Sequence, residues 1–156
     1  MTQANPIRVF VTHVWEPQDD YARVFEYLES ARNFFYRNCS SPEVRPVGDK
    51  EALKEALRKQ ITPAEAVIAL SSLYAVSPDL AVFQCLYAQA SQKPVVLMKE
   101  FGVQRPVPKP LADLADEIVD WDDRALVDAV RRQARHEDTQ RWDTIEFKLE
   151  DLKLPK

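Results

Sequence analysis

The chain is poor in glycine: among 156 residues it has two, Gly48 and Gly102, against eleven prolines. That scarcity excludes the nucleotide loops built on clustered glycines, both the dinucleotide fingerprint G-x-G-x-x-G and the P-loop G-x-x-x-x-G-K-[ST]. Any phosphate-bearing ligand must be held in another way. Cysteine is just as sparse, and Cys39 and Cys85 make neither a disulfide framework nor a C-x-x-C pair. The two histidines, His13 and His136, fall on different segments, so the three or four ligands of a zinc site are not written and no metal is expected. Ser71-Ser72 lacks the G-x-S-x-G elbow of a serine nucleophile. No apolar run approaches the ~20 residues that span a bilayer. The opening MTQANPIRVF has neither the basic nor the apolar region of a signal peptide. A formal charge of −4 gives no cationic surplus for phosphate contacts. The expectation is a cytoplasmic protein with no nucleic-acid and no membrane partner.

What is present fits one domain of ordinary globular composition, 46% hydrophobic and 29% charged. Ile7 to Thr12 (IRVFVT) is β-branched and aromatic and reads as a strand. From Asp19 to Phe35 the apolar positions Tyr21, Val24, Phe25, Leu28, Ala31 and Phe35 follow helical spacing. Tyr36 to Cys39 reads as a second strand before a Pro/Ser-rich loop. Asp49 is placed to cap the next helix, and Ala66 to Leu70 (AVIAL) has the continuous apolarity of a strand buried on both faces. Ser77-Pro78-Asp79 reads as a capped helix start, with the helix running to about Gln92. Pro94 to Met98 and Glu117 to Trp121 read as the last two strands, with a helical turn at Leu111 to Ala115 between them. A final helix begins after Asp122 and ends among Arg131, Arg132 and Arg135. Alternating strands and helices predict an α/β fold with a parallel, flavodoxin-like sheet of about five strands in the order 2-1-3-4-5. Residues 1–136 form the expected domain. The tail, 137–156, carries an alternating TIEFKL stretch at 144–149 that reads as an edge strand or a docking segment.

In such a sheet, ligands bind beyond the carboxyl ends of the strands where strand order reverses, here between the first and third strands. Thr12, His13, Val14 and Trp15 empty into that place from one side, and Ser71, Ser72 and Tyr74 from the other. Hydroxyls, an imidazole and two aromatics suit a nucleotide, and they also describe a polar loop edge over any parallel sheet. Cys85 lies in an apolar helical stretch and reads as a small buried hydrophobe, not as a nucleophile beside His13.

Four segments in order resemble the bacterial TIR-like proteins of the Thoeris anti-phage defence system. VFVTHVWE resembles the family's VFISHSW, and NCSSPEVRP its N-Y-S-x-P loop. LKEALRKQITPAEAVIALSSLY resembles its L-x-x-x-L-R-x-Q-I segment, and LADEIVDWD its A-D-E-I-V-x-W. The resemblance spans roughly Ile7 to Arg135 and implies a TIR-like fold. It also implies an enzyme that cleaves the nicotinamide–ribose bond of NAD⁺ as substrate, with no prosthetic group. Some members cyclise the ADP-ribose into a diffusible signal for a downstream effector, and homo-oligomers are implied as well. On this resemblance Thr12, His13, Trp15, Ser71, Ser72 and Tyr74 contact NAD⁺ or an ADP-ribose-type ligand. The family's catalytic Glu falls on Gln84, in Phe83-Gln84-Cys85-Leu86.

Gln has the reach of Glu without its charge, so stabilisation of an oxocarbenium-like transition state is lost and turnover falls by orders of magnitude. Three readings of Gln84 stand: an engineered Glu→Gln exchange, a natural loss, or a partly exposed helix residue outside the site. Asp79, Glu16 and Glu43 are the nearest other carboxylates in sequence, and Asp79 is explained by the helix start it occupies. A non-catalytic TIR-like adaptor that binds nucleotide or protein partners is the alternative from another class. A phosphoacceptor receiver is a poor third, because neither Thr12-His13 nor Ser71-Ser72 supplies the Asp that chemistry needs.

Overall fold

Strand β1 (Ile7–Val11) is followed by α1 (Asp19–Ser30), β2 (Tyr36–Asn38), α2 (Lys50–Ile61) and β3 (Ala66–Leu70). Then come α3 (Leu73–Val76), α4 (Pro78–Ala90), β4 (Val95–Met98), α5 (Lys109–Ala112), β5 (Glu117–Val119) and α6 (Asp123–Arg135). The structure is a computed structural model, and it describes residues 2–137. The expected strand at 144–149 lies outside the described residues. No helix among them is long and apolar enough to cross a membrane.

The five strands are all parallel in the order β2-β1-β3-β4-β5, as the alternating pattern predicts. In the register, Val9 faces Ala66 and Val11 faces Ile68, and on the next strand Ile68 faces Val96. Every residue of β3 and β4 is buried, which is why these strands read as unbroken apolar runs. α1 packs beside α6 and α2 beside α4, the pairing that right-handed crossovers give to this strand order.

Local chemistry explains most boundaries. Asp49 accepts a hydrogen bond from the Ala52 N–H at 3.2 Å and caps α2. Gly48 before it has φ +131°, and a Cβ there would lie 2.8 Å from the Ala52 Cβ, so this turn needs glycine. α1 ends at Ser30, earlier than its apolar spacing predicts. Ala31 is extended and Asn33 left-handed, so Phe34 reaches the core from a turn. Ser77 makes no side-chain cap. Its N–H instead goes to the Leu73 carbonyl, closing the short α3 that sequence spacing did not indicate. The cations expected at the end of α6 make long-range pairs: Arg132 bonds Glu117 at 2.7 Å, and Arg135 bonds both carboxylate oxygens of Glu65.

Candidate functional site

The loop after β1 is tied down on three sides. Thr12 Oγ1 accepts the Leu70 N–H at 3.0 Å, bridging β1 to the end of β3. The next peptide is gripped by α4: the His13 N–H donates to Gln84 Oε1 at 3.1 Å, and Gln84 Nε2 donates to the His13 carbonyl at 3.0 Å. The second hydrogen on Nε2 goes to the Leu80 carbonyl, also at 3.0 Å. Gln84 thus pairs with residue 13 as one strand pairs with another. Its side chain is 0% exposed, so the reading of Gln84 as a partly exposed helix residue is wrong. A carboxylate could accept from the His13 N–H but would face two carbonyl oxygens with nothing to donate.

The imidazole of His13 is 1% exposed and held from the other side of the loop. Gln60 Oε1 lies 2.8 Å from His13 Nε2 and also accepts the Ser41 N–H at 2.8 Å. An oxygen that receives a backbone N–H is an acceptor, so His13 Nε2 carries a hydrogen. Burial lowers the His13 pKa below its ordinary value of 6.5, outweighing the opposing effects of the Gln60 hydrogen bond and the field of Glu43. The ring is therefore neutral at pH 7, with a lone pair on Nδ1 that has no partner. The Trp15 indole sits edge-on to it, with centroids 4.9 Å apart, and its Nε1–H is buried and unpartnered too. Trp15 has φ +63°, a left-handed backbone uncommon for a bulky residue. Tyr21 also lies edge-on to the ring, with centroids 6.3 Å apart, and shares a hydrogen bond with Ser40 at 2.8 Å; Ser40 also bonds Asn38.

The expected site residues divide into two groups. Thr12, His13, Trp15 and Gln84 come together. Ser71 and Tyr74 instead line a separate cavity of about 190 Å³ with Glu100, Arg105 and Val107, and Ser71 donates to the Met98 carbonyl at 2.6 Å. Ser72 Oγ is buried without a partner. The larger open space, about 840 Å³, lies over the ends of β4 and β5, lined by Phe101 and Trp121 and by two ion pairs, Lys99 with Asp120 and Arg105 with Glu100. At the switch point Thr12, His13 and Gln84 are buried and Trp15 is half-buried.

Spacing alone did not identify Gln60 or Tyr21 as members of this site. Gln60 is nevertheless the Gln of the L-R-x-Q-I segment, and Ser40 and Ser41 belong to NCSSP. These two segments and the T-H-V-W segment therefore meet in one hydrogen-bonded network. The alternative carboxylates do not join it by hydrogen bonds. Asp79 is exposed and bonded to Lys50 at 2.9 Å, which lowers its pKa. Glu16 is exposed, and Glu43 reaches His13 only through its field. Cys85 is fully buried, and burial pushes its thiol up to about 12, so it is no nucleophile. Among the described residues no cluster of three His, Cys, Asp or Glu could hold a metal.

Chemically, the network is neutral: an imidazole, an indole, three amides and several hydroxyls. It can hydrogen-bond a hydroxylated or heteroaromatic ligand, and it offers no anion in contact with a developing cation. The sheet order and helix arrangement define a flavodoxin-like α/β protein. No model of a known protein family matches the chain, and no curated protein matches it in sequence.

Proposed function

We propose that the chain is a TIR-like signalling module of the anti-phage type that binds a nucleotide of the ADP-ribose class and does not cleave NAD⁺. The observation that carries this reading is the bonding of Gln84. Its amide makes three hydrogen bonds, all to backbone, and the two that it donates are ones no carboxylate can copy. An amide this well suited to its place supports a natural loss of the acid over an exchange made for trapping. The unpartnered Nδ1 of His13 and Nε1 of Trp15 supply one acceptor and one donor on neighbouring rings; both atoms are buried, so a ribose hydroxyl or a base edge reaches them only when the half-buried Trp15 moves aside, its indole then serving as a stacking surface.

Calorimetric titration tests the proposal. ADP-ribose and NAD⁺ should bind the unaltered chain, and Trp15→Ala should weaken both by at least about tenfold. No heat with either ligand would remove the nucleotide reading and leave a protein-binding adaptor.

A second reading keeps the enzyme: a TIR-like NAD⁺-cleaving protein that makes an ADP-ribose-derived, cyclic or linear signal for a downstream effector. Its support is Glu43, an exposed carboxylate whose field reaches His13. Nicotinamide release by the unaltered chain would favour this reading over the first.

A further inference from the structure

We propose that Gln60 is a positioning residue that decides what His13 can recognise. It holds the ring in the tautomer with its hydrogen on Nε2, so Nδ1 takes a neutral donor such as a ribose hydroxyl and turns away an ionised phosphate. The ligand group rests on the nucleotide reading above; the tautomer rests on the fold alone.

Which way a glutamine amide points is ordinarily inferred from its neighbours, and here a backbone group decides it. The Ser41 N–H, on the loop after β2, donates to Gln60 Oε1 at 2.8 Å. The same oxygen lies 2.8 Å from His13 Nε2. Turning the amide over would set its NH₂ group against the Ser41 N–H, donor against donor, and leave that backbone group unmet. The oxygen therefore stays, and Nε2 is the nitrogen that donates. Three segments hold this arrangement together: α2 carries Gln60, and the loops after β1 and β2 bring His13 and Ser41 to it.

No other group facing the ring competes for its protons. Phe10, Trp15 and Tyr21 meet it through their rings, with centroids 5.7, 4.9 and 6.3 Å away. Glu43 reaches it only as a field, and burial outweighs that field. His13 is 1% exposed, so its bare Nδ1 has no bulk water to turn to, and a ligand atom that meets it must bring a hydrogen. A hydroxyl does so. An ionised oxygen can only accept, and would set its lone pairs against the one on Nδ1. In the nucleotide reading, a ribose hydroxyl thus faces His13 and the diphosphate lies away from it.

Gln60→Glu is the sharpest variant, because a carboxylate keeps both accepting contacts and adds a charge that favours the imidazolium. Gln60→Leu removes the acceptor altogether. Nitrogen-15 spectra of the imidazoles in the full chain, without ligand at pH 7, read the ring directly, the His13 signal being the one lost in His13→Gln. The unaltered chain should show a hydrogen on Nε2 and a bare Nδ1. Gln60→Glu should show both nitrogens protonated, and Gln60→Leu a mixture of the two neutral tautomers. ADP-ribose should bind Gln60→Glu at least about tenfold more weakly than the unaltered chain in calorimetric titration. A hydrogen on Nδ1 in the unaltered chain, or an unchanged ring in Gln60→Leu, overturns the role of Gln60. A neutral ring in Gln60→Glu, or equal affinity of that variant for ADP-ribose, overturns the selectivity. If ADP-ribose binds neither form, the nucleotide reading falls and the ribose assignment with it, while the spectra still decide the tautomer.

Discussion

The two halves of the sheet's carboxyl edge are built differently. Over β1 and β3, where strand order reverses, His13, Thr12 and Gln84 are buried and bonded to backbone across the gap. Over β4 and β5 the edge opens into a cavity of about 840 Å³, whose charged groups pair with one another at the surface. Topology places a crevice at the first location, and there the polar groups are buried against backbone while Trp15 stays half-buried. Strand order says where a ligand can approach; the bonding of a few polar groups decides what can be done there.

The comparison is broken most directly at Gln84. Gln84→Glu should destabilise the chain by about 3–5 kcal/mol at pH 7, the usual cost of an uncompensated buried charge, measured by urea unfolding. The sign of its pH dependence follows from burial. A carboxyl held against two carbonyls is favoured in its protonated form, so its folded pKa lies above the unfolded one. The variant should recover stability as pH falls toward the unfolded value.

A smaller effect sharpens the same contrast. His13 has a folded pKa below its ordinary value of 6.5, because burial disfavours its charge. As pH falls below 6.5 the unfolded chain takes up a proton that the folded chain resists, so stability should fall, by at most about 1.4 kcal/mol per pH unit. Glu65 and Glu117 have folded pKa values lowered from 4.5, chiefly by their Arg partners, so their contribution is complete above that value and is lost only below it. The two windows therefore separate, and His13→Gln should flatten the unfolding profile between about pH 5 and 6.5. The smallest effect belongs to the open half. Lys99→Ala removes an exposed ion pair with Asp120 and should change stability by less than about 1 kcal/mol. A loss as large as that at Gln84 would erase the distinction between the two halves.

Much of this fold was legible because its strands are short, apolar and separated by helical spacing. AVIAL and PVVLM announce a buried parallel sheet, and the order follows from handed crossovers. Boundaries were harder where two rules compete. The apolar spacing of α1 continues to Phe35, but the left-handed Asn33 turns the chain first. Ser77 has the form of a cap, yet its N–H closes α3. In the site, topology put Thr12, His13 and Trp15 at the right edge. It could not show that Gln60, on α2, turns its amide oxygen to meet His13 and Ser41 together. Nor could it show that Gln84 would be wholly inside. Such contacts depend on side-chain rotamers across three packed elements, and composition and periodicity carry no trace of them.

The central claim is that Gln84 is a structural amide in a site that binds and does not cleave. Nicotinamide release from NAD⁺ tests it most directly, measured side by side for the unaltered chain and for Gln84→Glu at a pH where circular dichroism shows the variant folded. The account predicts no release from either. Release by Gln84→Glu, or by the unaltered chain, would contradict it.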